Sequence, residues 1–418
     1  MKSKSEQHNL LTREEAMERM DVKSSTLYAY VSRGLIRTVP HEDGRRSLYS
    51  QADVENMARR KRGRPSREDE TASTLRWGEP VLFSTVTRIT PEGPCYRNRL
   101  AVDLANADAP FETIVQFLMT GMWQDAIAPW PEAGMPKDVL AFLGGQAALE
   151  SEDIGNLMGM LVFALGMRGR GASEIADGQA TQATRLILLG MAGCIGFLGP
   201  QRAFVMREPG ECVAAYIIRA AGGFVTPEAV RVMNCALVML ADNELAPGTF
   251  ACRVAASTNA DLYNCVAAAI GSHIGPSTGT ATRKIESMLL VEPMDDIPVR
   301  LALVRDFGVN VFGFNHPLYP GGDPRANLIL ARMQKLPALT ASTLATFELL
   351  EQARMQHNAH PGVALALVAL SRALGLPDGT ATALWILSRA AGWVAHALEQ
   401  RTQAFLMRPR ARHRKMTG

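Results

Sequence analysis

GFNHPLYPGGDPRA, residues 313–326, is the stretch on which the reading of this chain turns. It sets His316 and Arg325 among glycines and prolines, the punctuation of a connection between helices. Two other segments are organised in the same way. Upstream, ADNELAPGTFACR (241–253) runs into VAASTNADLY (254–263) and then GSHIGPSTGTA (271–281). Downstream, HPGVALALVALSRALGLP (360–377) is followed by SRAAGWVAHALEQ (388–400) and RPRAR (408–412). From Leu75 onward the chain reads almost only as helices between such Gly/Pro breaks, GFLGP and YPGGDP among them, with no internal repeat of fixed period. Aromatics are few and alanine, leucine and methionine many, the composition of packed helices rather than sheets.

At 418 residues the chain is too long for one ordinary core, so two or three domains are expected. Hydrophobic residues at 47% and charged residues at 20% exclude wholesale disorder. The longest weakly charged run, 183–200, is broken by Arg185 and interleaved with glycines, which predicts a buried helix rather than a membrane span. The N-terminal MKSKSEQHN lacks the apolar core of a secretory signal, and six cysteines stand without CxxC spacing. A cytoplasmic protein with reduced thiols, no metal site and no membrane partner is expected.

The charge is unevenly placed. Residues 1–67 hold 15 Lys/Arg against 9 Asp/Glu, a local charge of +6 on a chain whose net charge is +3. A basic front on a mildly acidic body predicts that the front meets a polyanion. Thr12 and Glu15 form a capping box for a first helix with an apolar stripe of Ala16, Met17 and Met20. Met20-Asp21-Val22 is a turn, and Ser24 or Ser25 caps a second helix that stops at Gly34. Leu35-Ile36-Arg37 and Ser47-Leu48-Tyr49 read as two wing strands around Asp43-Gly44, and 51–60 as a third helix. The stretch resembles the winged helix-turn-helix of the MerR and excisionase type. That resemblance implies duplex DNA as partner, with Ser25, Tyr28 and Arg33 facing the bases and Arg45 and Arg46 near phosphate. Residues 61–74 read as a linker, and its Lys61-Arg62-Gly63-Arg64-Pro65 is similar to an AT-hook core, in which Arg62 and Arg64 enter an A·T-rich minor groove.

The three segments of the body resemble, in order, the DHELxPSTFAAR-to-GPLHGGA region, the GFGHxVYxxxDPRA loop and the PNVDFALAALARALGLP helix of the citrate synthase family. CYRNRLAVDLA (95–105) and PFETIVQFLMTG (110–121) extend the match forward. The fold class this implies is mainly α: citrate-synthase-like all-helical large and small domains, preceded by the small winged helix-turn-helix. The expected division is 1–60 for the DNA-binding domain, 61–74 for the linker, 75–279 with 375–418 for the large domain, and 280–374 for the small one. A homodimer is implied, with sites across the subunit interface.

The family joins an acyl-CoA to oxaloacetate. That chemistry needs cations for carboxylates, a donor on the keto oxygen, a base for the methyl proton and a donor for the enolate. By resemblance, Arg325, Arg389 and Arg408 match the carboxylate-binding arginines, the last reaching in from the neighbouring subunit, and His316 matches the histidine on the keto oxygen. Arginine suits the role because its planar fork pairs bidentately with a carboxylate. Other positions depart from the pattern. Asn243 stands for a ligand-binding histidine, Thr278 for the catalytic histidine and Ala364 for the aspartate base. Losing a positioned base costs roughly 10²–10⁴-fold. His360 and Asn358 are the nearest substitutes, and Pro361 is expected to start the helix and leave them outside it. The expected protein is therefore an impaired synthase scaffold that binds an oxaloacetate- or citrate-like carboxylate and DNA. Acetyl-CoA or another acyl-CoA is its second ligand, and no cofactor is tightly held. The rival reading is an active citrate or 2-methylcitrate synthase.

Overall fold

The computed structural model describes residues 10–20, 22–32, 36, 38–40, 47–51, 53–55, 82–125, 130–131, 134–145, 150–275, 281–403 and 405–411. The chain divides into two compact units, Met1–Phe83 and Ser84–Gly418.

In the first unit, β1 (Leu10–Leu11), α1 (Arg13–Met20), α2 (Ser24–Ser32), β2 (Thr38–Pro40) and β3 (Ser47–Ser50) follow in order. The strands form an antiparallel sheet β1-β3-β2, with Leu11 opposite Tyr49 and Val39 opposite Leu48. The capping box is formed: Thr12 N donates to Glu15 Oε2 (2.8 Å) and Glu15 N to Thr12 Oγ1 (3.3 Å). Ala16, Met20, Leu27, Ile36, Tyr49 and Val54 close a small core, with Met17 packed against it. The first wing strand, expected at 35–37, is described at Thr38–Pro40, and residues 35 and 37 lie outside the described residues. Ile36 is buried in that core.

The second unit opens with a meander that the helical reading did not anticipate: β4 (Thr87–Thr90), β5 (Gly93–Tyr96) and β6 (Arg99–Leu100). These strands are too short to show a period of two. The turn between β5 and β6 uses Arg97 and Asn98 at φ 46° and 73°, the left-handed pair of a tight hairpin without its usual glycine.

Helices follow: α3 (Ala101–Asn106), α4 (Phe111–Thr120), α5 (Lys137–Gly144), α6 (Ile154–Gly166), α7 (Arg170–Ala176) and α8 (Ala180–Cys194). Then come α9 (Val213–Ala220), α10 (Pro227–Leu240), α11 (Pro247–Ser257), α12 (Leu262–His273) and α13 (Ala281–Lys284), which runs into a π-helical turn at Ile285–Leu289. The last are α14 (Ile297–Phe307), α15 (Pro324–Met333), α16 (Ala341–His357), α17 (Val363–Ala373) and α18 (Thr380–Gln403). Caps fix several starts. Thr226 accepts from Ala229 N at 3.2 Å ahead of Pro227, and Thr340 accepts from Thr343 N at 3.1 Å. The run anticipated as a buried helix is α8 and its continuation, 78% buried over Ala180–Phe197. At the centre lies α18, with α4, α6, α8, α10, α11, α12 and α17 packed on it. Its side chains from Leu384 to Ala397 are almost all buried, which is why this helix can carry charged groups out of reach of water.

Candidate active site

Arg325 is the second residue of α15. Asp323 caps that helix, accepting from the Arg325 backbone N (3.0 Å), and also chelates the side chain through Nε (2.9 Å) and Nη2 (2.8 Å). A guanidinium held on two edges cannot swing, so its remaining N–H groups keep a fixed direction. Nη1 donates to Asn243 Oδ1 at 2.6 Å. This turns the amide oxygen of Asn243 toward the cation and leaves its NH₂ as a donor. The Tyr319 ring lies 5.2 Å from the Arg325 guanidinium carbon and 5.4 Å from the His316 ring.

His316 receives a hydrogen bond from Leu318 N at Nδ1 (3.2 Å). A backbone N–H only donates, so Nδ1 accepts and the proton of the neutral ring sits on Nε2. Burial, with the charge of Arg325 added, pushes its pKa down to about 4. At neutral pH this imidazole is an uncharged donor, the form suited to a carbonyl oxygen.

Arg389 comes from the middle of α18 and is only 3% exposed. Its Nε donates to Leu240 O at 2.9 Å, and no carboxylate pairs with it among the described residues. Burial lowers its pKa to about 10, so it stays charged at neutral pH. Together Arg325, Arg389, His316 and Asn243 supply two fixed cations and two neutral donors, a set complementary to a dicarboxylate with a carbonyl or hydroxyl group.

Ala364, the second residue of α17, is buried against the backbone of the His316 loop. A Cβ built on Gly313 would stand 3.3 Å from the Ala364 methyl. Gly362 N donates to Gly313 O (2.9 Å), and Asn315 N to His360 O (2.8 Å), stitching the loop to the start of α17. The helix begins at Val363 and not at Pro361, which forms a lone bridge with Phe314. The position expected to hold the base thus lies at the loop that carries His316, and it offers a methyl group. Asn358 is exposed, ending α16 in the left-handed conformation, whereas His360 is half-buried with its Nδ1 3.5 Å from a Cβ built on Gly322. Arg408 is exposed on the extended segment after α18 and does not join the buried set within one chain. Thr278, Arg33, Arg45, Arg46, Arg62 and Arg64 lie outside the described residues. In the first unit, Ser25 belongs to α2, and Tyr28 on the same helix is 52% exposed. Arg13, not singled out from sequence, is held beside the Tyr28 hydroxyl.

Sequence reasoning also passed over Asp242, Arg253, His273 and His396. Asp242 and His396 are fully buried and joined, His396 Nε2 to Asp242 Oδ2, at 3.1 Å. His273 is wedged between the rings of Trp385 (5.3 Å) and Trp393 (5.7 Å), and burial with the charge of Arg389 pushes it down to about 3. Each of these stands inside a segment quoted above, but spacing along a helix says nothing of which partner awaits across it.

Residues 75–410 match the family profile described as "Citrate synthase, C-terminal domain". The chain is 30% identical over 190 residues to "Citrate synthase 2" of Bacillus subtilis, covering 44% of this chain and 51% of that protein. It is 34% identical over 191 residues to "2-methylcitrate synthase" of Shewanella oneidensis, covering 43% and 49%. The chain thus spans about half the length of the curated relatives it matches. In fold it is similar to the citrate synthase of Thermoplasma acidophilum solved with carboxymethyl coenzyme A and oxaloacetate. The TM-score is 0.65 at 22% identity, over 81% of this chain and 96% of that one. The Thermotoga maritima citrate synthase gives 0.65 at 20% identity, over 82% and 95%. On a profile that covers four fifths of its length, the chain belongs to the citrate synthase family.

Proposed function

We propose that this protein binds an oxaloacetate- or citrate-like carboxylate in a citrate-synthase-type site, condenses it with an acyl-CoA only at a trace rate, and couples the ligand to DNA binding. One observation carries the reading: Arg325 and Arg389 are buried and charged and the half-buried His316 is neutral, each held by hydrogen bonds, while position 364 holds a methyl group. In this reading Arg325 and Arg389 take the carboxylates and Nε2 of His316 donates to the keto oxygen. Arg408 enters from the second subunit of a homodimer, with the large domain at 75–279 and 375–418 and the small one at 280–374. Deprotonating the acyl methyl group is the step left without a base at 364. Residues 1–60 act as a winged helix-turn-helix, with Arg62 and Arg64 in the adjacent minor groove, and the protein works in a reducing cytoplasm.

A second reading, an active citrate or 2-methylcitrate synthase, is favoured by the names of the relatives and by the half-buried His360 beside the His316 loop. Titration calorimetry and a CoA-release assay separate the two. We expect heats with oxaloacetate or citrate that Arg325→Ala abolishes, and CoA release at least ~10³-fold below ordinary turnover. Equal heats for both proteins, or none at millimolar ligand, would sink the carboxylate site. Several turnovers per second would favour the active enzyme.

A further inference from the structure

Tyr319 stands in the loop between His316 and α15, and the backbone fixes it from both sides. Its N–H donates to His316 O (2.9 Å), and its carbonyl accepts from Gly322 N (3.0 Å). The ring is thereby set beside two groups of the candidate site. Its centroid lies 5.4 Å from that of the His316 imidazole, with the planes 38° apart, and 5.2 Å from the Arg325 guanidinium carbon. Ring packing and cation–π attraction account for the apolar body of the side chain. They leave its hydroxyl unexplained.

Tyr319 is 3% exposed, and its hydroxyl is shut off from bulk solvent with no hydrogen-bond partner among the described residues. Tyr96 and Tyr216, at least as deeply buried in the same unit, are satisfied by carbonyls. Tyr96 Oη donates to Val238 O (2.9 Å) and Tyr216 Oη to Val205 O (2.6 Å). A buried phenol ordinarily has such a partner, because an unpaired one has lost its water and gained nothing in exchange. The orphan at Tyr319 is therefore a group that asks for a reason.

The acceptors close to Tyr319 are turned elsewhere. Both oxygens of Asp323 face Arg325, at 2.8–3.0 Å. Asn243 Oδ1 takes the hydrogen bond of Arg325 Nη1 (2.6 Å), and His316 Nδ1 takes that of Leu318 N (3.2 Å). What these groups and Arg389 present is N–H donors. A phenol among donors is completed by an acceptor, and the acceptor that suits the arginines as well is an anionic oxygen. Burial pushes the Tyr319 hydroxyl up to about 12, so it keeps its proton, and with it the capacity to donate, throughout the neutral range.

We propose that Tyr319 is a further ligand-binding residue of this site, its hydroxyl donating to a carboxylate oxygen of the ligand beside Arg325. This rests on the carboxylate-binding reading above and adds to it a neutral donor that recognises the ligand through a hydrogen bond.

The test is Tyr319→Phe in the full-length protein, a change that keeps the ring contacts and removes one oxygen. Two quantities are read, the urea midpoint without ligand and the citrate affinity by calorimetry. Because the hydroxyl is unpaired before the ligand arrives, its removal should leave the ligand-free midpoint equal to or above that of the wild type. Tyr96→Phe, which breaks a formed hydrogen bond, should lower it. Citrate affinity of Tyr319→Phe should fall by at least about tenfold, the size of one hydrogen bond to a charged group. Tricarballylate, which has the carboxylates of citrate without its hydroxyl, should lose the same factor. An affinity within about twofold of the wild type overturns the proposal, since the ring alone would then be at work. So does a lowered ligand-free midpoint for Tyr319→Phe, which would show the hydroxyl bonded inside the protein. A loss confined to citrate overturns the assignment to a carboxylate. If the wild type gives no heat with either acid, the carboxylate reading falls and the role of Tyr319 falls with it. That pattern differs from heats that Tyr319→Phe leaves unchanged, which sink the role of Tyr319 alone.

Discussion

Position 364 and position 316 lie on either side of one backbone seam and make opposite contributions. His316 is held neutral with its proton on Nε2, ready to donate, whereas Ala364 presents a methyl group where the family resemblance asks for an aspartate. The seam is tight: Gly313, at φ 73°, leaves 3.3 Å between its would-be Cβ and the Ala364 methyl. If the rest of the site is intact, restoring both missing groups should restore chemistry. We expect the double variant Thr278→His with Ala364→Asp to raise CoA release by at least ~10²-fold over the wild type, the span typical of a positioned base. Either single variant should give much less, because groups that act as a unit are far from additive. A double variant that folds, binds citrate like the wild type and shows no gain would mean that the base was never meant to stand at 364. These residue identities were legible in the sequence. The neutral state of His316 was not, because it follows from burial and from the Leu318 amide.

At the scale of elements, α18 is the organising piece. It carries Arg389, seats Gly392 under the end of α10 and reaches Asp242 with His396. The glycine matters because nothing larger fits: an added Cβ would lie 2.1 Å from Asp242 Oδ1, 2.6 Å from Asp242 Cβ and 2.6 Å from its Cγ. Because the obstacle is a short, tethered carboxylate, Gly392→Ala must push α18 and the end of α10 apart. We expect the substitution to cost about 1–3 kcal/mol, as overpacking of a filled core does. That cost should appear as a lower urea midpoint with citrate affinity reduced alongside it. A variant with unchanged midpoint and unchanged citrate binding would show that the contact is looser than the geometry says. The segment holding Gly392 and His396 was quoted from sequence as part of the resemblance, but no role was attached to either. Likewise β4, β5 and β6 were read over as helix, since strands of two to four residues leave no periodic trace.

At the scale of the whole molecule, the positive charge is concentrated at the front, +6 over residues 1–67, within a first unit that ends at Phe83. If the first unit binds duplex DNA as proposed, counterion release makes the affinity fall with salt. The log–log slope should be roughly −0.9 for each phosphate neutralised. Anisotropy titrations with genomic fragments should show this slope and a preference for A·T-rich flanks. Replacing Arg62 and Arg64 with alanine should lower that preference more than total affinity, and Tyr28→Ala should instead weaken discrimination within the site. Binding no tighter than that of a control peptide of equal charge, at physiological salt, would make this unit a protein-contact domain. Adding citrate should alter the affinity if ligand and DNA are coupled, since coupling requires unequal affinity for two states.

The sequence by itself determined the family, the predominance of helices, the position of the capping box and the identity of the residues at 316, 325, 364 and 389. Each of these is written locally, in motifs, caps and residue types. Tertiary structure alone decided the charge states and partnerships. Which oxygens chelate Arg325, and how Asp242 is reached from Glu399 through Arg253 and His396, depend on groups far apart in the chain. Asp242 and His396 are separated by 154 positions, and Arg253 and Glu399 by 146. Burial multiplies the strength of such contacts by removing water, and no pattern along one segment records what will be buried against it.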